Sequence, residues 1–346
     1  MTKARASART DFLARAGWAK ADRRAIAGDA SFRRYDRLAQ AGETAVLMDA
    51  PPPHEDVRPF VRIAGVLAGW GLSAPAILAA DEQHGFVLLE DLGDDLYSTV
   101  LRPGGRGDER ALYEAAVDVL VNLQERTPPG GLPPFDEARI LAEAELFLDW
   151  ALPALTRTDT SGPVRTNFRA AWREVMPHIG GGRQTTVLFD YHADNLIWLP
   201  ERGGDRRIGL LDFQDAVLGP AALDLVSLLE DARRDVPPAF AEAMVERYLL
   251  ASPATEPTLF RAAYAAAGAQ RNARIIGVFA RLYLRDGKAS YLKMLPRVWR
   301  HLERDLAHPA LAPVRRWFDG EAPAALRRAV PDPAHFRLPA GQGVDR

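Results

Sequence analysis

The segment TTVLFDYHADNLIWLPERGGDRRIGLLDFQD, residues 185–215, constrains the fold more than any other stretch of the chain. Three short apolar runs, 185–189, 196–199 and 208–213, are separated by polar turns. Apolar runs of this length, bounded by turn residues, read as buried strands. Their polar residues then fall at strand ends, facing a cleft. Asp190, His192, Asp194 and Asn195 occupy the first turn, and Asp212 stands near the end of the third run.

This arrangement suits phosphoryl transfer. A carboxylate must hold the attacking hydroxyl, and oxygen ligands must hold Mg²⁺. Asp190 fits the base; Asn195, at the fifth position after it, and Asp212 fit the metal ligands. A polar β-turn followed by a surface aspartate is the plainer alternative, and the strand–loop–strand–strand context tells against it. His192 reads as a loop histidine that holds the turn by hydrogen bonding, Asp194 as a turn residue. Asp215 is a candidate acceptor behind Asp212, and Gln214 is a candidate substrate contact.

The combination DYHADN, LLDFQDAVLGP and LDLVSLL resembles the aminoglycoside phosphotransferase/choline kinase group, which has a protein-kinase-like fold. The closer resemblance is to bacterial anomeric sugar kinases acting on N-acetylmuramate and N-acetylglucosamine. It extends to GDASFRRY at 28–35, AVLMDAPP at 45–52, LLEDLGD at 88–94 and QRNARIIGVFARL at 270–282, and so covers most of the chain. It implies an α+β, two-lobed fold with a small β-rich N-lobe (1–90), a hinge (91–95) and a larger helical C-lobe (96–346). It implies ATP and Mg²⁺ as co-substrate and cofactor, and a small-molecule sugar as acceptor. Gly28, Asp29, Ala30 and Ser31 become the nucleotide loop. Glu90 and Leu92 would meet adenine through main-chain groups. Asp224, in LDLVSLL, would tie its helix to the catalytic loop, and Arg271 and Asn272 would face the substrate together with Asp231. An aminoglycoside or other small-metabolite kinase, and an inactive nucleotide-binding pseudokinase, are the alternatives.

Two departures from the wider kinase pattern stand out. The third strand usually offers a Lys to the phosphates, whereas 45–50 carries Met48 and Asp49 and no Lys. Arg33 and Arg34 are the nearest cations; strand alternation points them to opposite faces, and Arg34 is expected inward. Leu188 and Phe189 stand where the kinase group has His followed by Gly or Arg. That removes a polar scaffold and the arginine that a phosphorylated activation loop would engage.

Charge separates candidate acceptors. A polycationic aminoglycoside needs carboxylates, whereas N-acetylmuramate brings a carboxylate that suits Arg. The segments 230–235 and 268–285 are rich in arginine, which favours the acid sugar, although Glu230 and Asp231 lie among them. Arg271, Arg274 and Arg281 fall near one helix face, most of them expected in solvent.

Around this centre the chain reads as follows. Residues 33–38 and 44–50 suggest strands, 54–70 a helix ended by Gly69 and Gly71, and 76–80 with 86–90 a strand pair. Asp108 is a helix N-cap. Helices are expected from 109, at 135–152, 164–176, 238–250, 257–284, 287–304 and 309–318, with a loosely held tail from about 321. At 346 residues the chain can bury a substantial core. The net charge of −2 gives no case for a nucleic-acid partner, and the absence of cysteine excludes disulfides and thiol catalysis. No run approaches the ~18 apolar residues of a membrane span, and the basic N-terminus lacks a signal-peptide core. A cytoplasmic monomer with no membrane partner is expected.

Overall fold

A computed structural model of the chain describes residues 3–26, 32–180, 183–328, 331–334 and 336–339. They form two compact units, one of residues 1–129 with 188–216 and one of 130–187 with 217–346.

The first unit is built on an antiparallel sheet of five strands: β1 (Asp22–Ile26), β2 (Arg34–Gln40), β3 (Glu43–Asp49), β4 (Ile77–Asp81) and β5 (Phe86–Glu90), in the order β1-β2-β3-β5-β4. The strand β1 was not expected; its residues DRRAI are nearly all exposed, so no alternation of apolar and polar residues marks it. The opposite case is β3, where Ala45 and Leu47 are fully buried. The helix Arg58–Gly69 starts with Pro59 in its first turn and ends before Gly71, whose φ of +79° an L side chain rarely adopts.

The N-terminal helix Lys3–Arg15 packs on this sheet. Phe12 and Leu13 are buried with Leu38, Leu47, Phe86 and Leu88. Each large apolar side chain so buried contributes about 1.5–3 kcal/mol. Arg5 adds a polar tie: its Nε donates to Asp49 Oδ1 at 2.8 Å and its guanidinium lies 4.5 Å from the Phe86 ring centre. The carboxylate found on β3 in place of a lysine therefore holds the N-terminal helix.

The helix Glu109–Glu125 also belongs to the first unit, with Asp108 accepting from Ala111 N at 3.2 Å as its N-cap. Two short strands, Leu196–Trp198 and Ile208–Leu210, pair antiparallel. The expected strands 185–189 and 208–213 stop earlier, at Val187 and Leu210, because the chain turns left-handed soon after each.

The second unit is helical around Pro257–Leu284, a helix of 28 residues buried on nearly every side. Its start is set by Pro257 at the first position and by Glu256, whose side chain accepts from Thr258 N at 3.0 Å. Its alanines and glycines let neighbours approach closely. A Cβ on Gly277 would stand 2.3 Å from the main-chain carbon of Leu146, so no larger residue fits there. The stretch expected as one helix, 135–152, is divided into Glu137–Ala144, a π-helical turn Phe147–Ala151 and Leu152–Thr156. Likewise 287–304 begins as a 3₁₀ turn, Ala289–Met294, before the helix Leu295–Leu306. Of the tail expected from 321 to be loosely held, described parts are packed: Ala324–Arg328 is helical, Arg327 is buried, and Phe336 is buried farther on. Among the described residues no helix is long and apolar enough to cross a membrane.

Candidate active site

The first unit brings Asp190, Asn195 and Asp212 onto one stretch of connected backbone. His192 N donates to Asp190 O at 3.1 Å and Asn195 N to His192 O at 2.8 Å, closing the turn. The Asn195 side chain clamps it: Nδ2 donates to Asp190 O at 2.9 Å. The same asparagine reaches the third strand through its main chain, because Leu211 N donates to Asn195 O at 3.0 Å. Asp212 is therefore the next residue after one hydrogen-bonded to Asn195. Tyr191 fixes the loop from below, its hydroxyl donating to Ala116 O at 2.9 Å.

Two residues here adopt left-handed backbone without being glycine: Phe189, φ +79°, and Asp212, φ +54°. Such conformations cost about 1–3 kcal/mol and persist only where surrounding structure imposes them. Each adjoins or is a candidate catalytic residue. Burial of Phe189, and stacking of the next-door Phe213 on Phe60 at 4.8 Å, help to impose the turns.

Asp212 is partly open, with 42% of its side chain exposed. Its Oδ1 accepts from Arg33 Nη1 at 3.0 Å and from Gln214 Nε2 at 3.0 Å. Its Oδ2 carries no hydrogen bond among the described residues. Gln214 Nε2 also donates to Asp215 Oδ2 at 2.9 Å, so Gln214 binds its acidic neighbours rather than pointing away from them. Asp215 itself is exposed.

The expected choice between Arg33 and Arg34 is reversed. Arg33 is the one turned to Asp212, and its Nε donates to Glu55 Oε2 at 3.0 Å, while Arg34 at the start of β2 is exposed. Burial works to lower the Arg33 guanidinium, but Tyr35, Asp212 and Glu55 carry it above its ordinary value. It stays charged at every accessible pH.

Segment 91–95 has the backbone that a hinge contact needs. Arg37 on β2 holds it, pairing with Asp91 at 2.8 Å and Asp94 at 2.6 Å. Leu92 is buried, and its main-chain groups make no hydrogen bond among the described residues. Glu90 differs from expectation: its N–H is spent on Ala76 O at 2.9 Å, which leaves only its carbonyl to offer. Gly28, Asp29, Ala30 and Ser31 lie outside the described residues.

The candidate substrate residues of the second unit are packed inside it. Asn272 is fully buried, with Nδ2 donating to Glu230 Oε2 at 2.6 Å and to Asp305 Oδ2 at 3.0 Å. Arg271 is buried and donates to Ser227 Oγ at 2.7 Å. Asp231 is buried too, and its Oδ1 caps Arg233 N at 2.7 Å. Asp224 is fully buried in the first turn of the helix Ala222–Leu229. The expectation of solvated arginines also fails, since Arg274 and Arg281 are both partly buried. A helix hydrophobic all round places its polar residues inside, and no periodicity announces that. Arg33 and the two left-handed residues are the features missed from sequence. Arg33 had a signal, being next to the candidate chosen; a phenylalanine at positive φ has none.

A sequence profile of the phosphotransferase enzyme family matches residues 22–266. The N-acetylmuramate/N-acetylglucosamine kinase of Caulobacter vibrioides is 38% identical over 366 residues, covering 95% of this chain and 99% of that protein. Among solved structures, choline kinase LicA from Streptococcus pneumoniae superposes with a TM-score of 0.59 at 11% identity, covering 89% of this chain and 99% of that one. The streptomycin–ATP–APH(2″)-IIa ternary complex superposes with a TM-score of 0.53 at 14% identity, covering 80% and 90%. At such identities the two structures speak for the fold, which is the kinase-like α+β fold expected from the sequence.

Proposed function

This chain belongs to the phosphotransferase enzyme family, and from that premise we propose that it is an ATP-dependent kinase. Its acceptor in this reading is the anomeric hydroxyl of N-acetylmuramate and N-acetylglucosamine, as the name of its Caulobacter vibrioides relative suggests. The observation that carries the reading is the joined geometry of Asp190, Asn195 and Asp212: the Asn195 amide clamps the Asp190 carbonyl while its own carbonyl takes the Leu211 N–H.

Asp190 orients the sugar hydroxyl and accepts its proton. The freed oxygen attacks the γ-phosphorus in line, a new O–P bond forms, the bond to the β-phosphate oxygen breaks, and ADP leaves. Residues 1–90 act as the nucleotide lobe and 91–95 as the hinge, where the main chain of Leu92, unbonded among the described residues, and the carbonyl of Glu90 suit the adenine edge. Arg33 takes over the cationic role left open by β3, beside Asp212.

The residues present fit Mg²⁺. Asn195 spends its amide N–H on Asp190, so the side-chain oxygen remains as a ligand, and Asp212 keeps Oδ2 without a partner among the described residues. Hard oxygen donors of this kind suit the ion. When bound at Asn195 and Asp212, Mg²⁺ supplies charge neutralisation to the phosphates.

A cytoplasmic monomer that feeds amino-sugar salvage belongs to the same proposal. The test is ATP consumption against N-acetylmuramate, N-acetylglucosamine, kanamycin, choline and no acceptor, with product position read by phosphorus NMR. Anomeric phosphate from the amino sugars alone is the expected result. Turnover confined to kanamycin or choline overturns the acceptor, and no turnover with any of them favours an inactive nucleotide-binding protein.

A further inference from the structure

The second unit contains a cavity of about 570 Å³ that the proposed phosphotransfer chemistry does not use. The volume lies within the range of small-molecule sites, roughly 300–1,000 Å³. Its walls come from the π-helical turn Phe147–Ala151, the segment after Thr156 and the long helix Pro257–Leu284. A π-turn is an unusual element, found often at functional sites. Here it is packed rigidly against the long helix, because Gly277 lets the backbones of the two meet.

One charged donor in this cavity lacks an acceptor among the described residues. Arg281 lines it, partly buried, and its guanidinium has neither an ion-pair nor a hydrogen-bond partner among the described residues. Its Nε is fully enclosed without an acceptor. Burying a charged donor in this way is costly unless something pairs with it. Burial, and then the nearby Arg285 and Arg274, pull the guanidinium below its ordinary value, with only Asp286 opposing. Trp150 is a second wall; it is buried, and its indole N–H also makes no hydrogen bond among the described residues. Two acids, Asp149 and Asp159, also line the cavity. Asp149 already takes Arg165 Nη2 at 2.6 Å, and Arg165 also reaches Glu145 at 3.1 Å. Asp159 lies exposed. The Thr160 hydroxyl donates to Leu148 O at 2.6 Å, which leaves its oxygen free to accept from a ligand hydroxyl.

We propose that this cavity is a binding site for a sugar-sized ligand bearing one oxyanion group, with Arg281 as the bidentate anchor and Trp150 as the flat wall and additional N–H donor. A guanidinium fork matches a carboxylate or a phosphate equally well, and the aromatic ring suits the apolar face of a pyranose. The site is distinct in composition from the Asp190 segment, which presents acceptors for a metal and a hydroxyl.

The test uses the full chain and three probes of one size: D-glucuronate, D-glucose 6-phosphate and neutral D-glucose. Binding is read by tryptophan fluorescence and by saturation-transfer NMR, in the wild type, Arg281→Gln, Arg281→Lys and Trp150→Phe, with a thermal melt to check that each is folded. At least one anionic probe should bind ten times or more tightly than glucose, and Arg281→Gln should abolish that preference while amino-sugar turnover stays within twofold of wild type. Arg281→Lys should restore part of it. Which anionic probe wins decides between a sugar acid and a sugar phosphate. Equal binding of glucose and both anions, or a preference that survives Arg281→Gln, overturns the site.

Discussion

Two clusters of carboxylates and amides, one in each unit, contain the same kinds of residue and differ in what they leave open. In the first unit, Asn195 and Asp212 sit on turns, and Asp212 keeps an oxygen without a partner among the described residues, in a side chain that is 42% exposed. In the second, Asn272 binds Glu230 and Asp305 inside the core, where all three are buried. The first cluster rests on strained backbone, with Phe189 and Asp212 left-handed, whereas the second rests on a regular helix. Composition therefore says little about which acid works on a ligand. Spare lone pairs in a part-exposed side chain on strained main chain are what the proposed reactive site offers; the second cluster is closed away from solvent, its amide N–H groups engaged and only Asn272 Oδ1 left without a partner among the described residues.

Breaking the first cluster should change rate and leave stability alone. Asp190→Asn is expected to lower turnover by about 10²–10⁴-fold, the usual worth of a positioned base, with ATP binding retained in a titration. Normal turnover in that variant would remove Asp190 from the mechanism. Breaking the second should do the reverse. Asn272→Ala leaves two buried carboxyls short of a donor and should cost about 1–3 kcal/mol, read in denaturant unfolding. Gly268→Ala tests the same cluster from the other side, since its Cβ would stand 2.8 Å from both Asp305 oxygens; it should destabilise by about 1–3 kcal/mol through overpacking. Unchanged stability in both would mean that the buried cluster is not the support described.

Smaller effects sharpen the contrast. Arg33→Gln should raise the KM for ATP about tenfold, the value of one charge-assisted hydrogen bond, whereas exposed Arg34→Gln should stay within about twofold. Equal effects would undo the assignment of Arg33.

The pH response should report on the second unit from both sides. Burial raises the carboxyls of Glu230 and Asp305 above their ordinary 4.5 and 3.8, each also feeling the other. The folded chain then holds protons that the unfolded chain has released. Stability from this pair is full below the ordinary values and falls as pH climbs toward the folded-state ones. His301 has the opposite sign: burial, and then Arg304, push it down to about 4 from 6.5. Its neutral form is favoured in the fold, so stability is lost as pH falls between those two values. A melting-temperature profile should decline at both ends, and Glu230→Gln with Asp305→Asn should flatten the alkaline limb alone.

Much of the fold is legible because it depends on local pattern. The helix Pro257–Leu284 announces itself by Glu256, Pro257 and a long run of alanine. The loop around Asp190 is legible as a turn because a polar segment between two apolar runs has few alternatives. The break at Phe147–Ala151 is not legible; it arises where a glycine on another helix brings two backbones together. Nor is the burial of Asn272, since an amide on a helix face reads as solvent-facing until its partners from elsewhere in the chain are known.

The sequence by itself determined the kinase-like class, through the motifs that resemble the family, and the starts of helices such as Glu109–Glu125 and Pro257–Leu284, and it put forward the trio Asp190, Asn195 and Asp212 as candidates, because caps, turn chemistry and residue type act over a few neighbouring positions. Only the tertiary structure decided that Arg33 and not Arg34 meets Asp212, that Asp49 holds Arg5, and that Asn272 is closed away while Arg281 faces a cavity. Each of these turns on which of two faces a side chain shares with residues distant in the chain, and long-range packing alone sets that face.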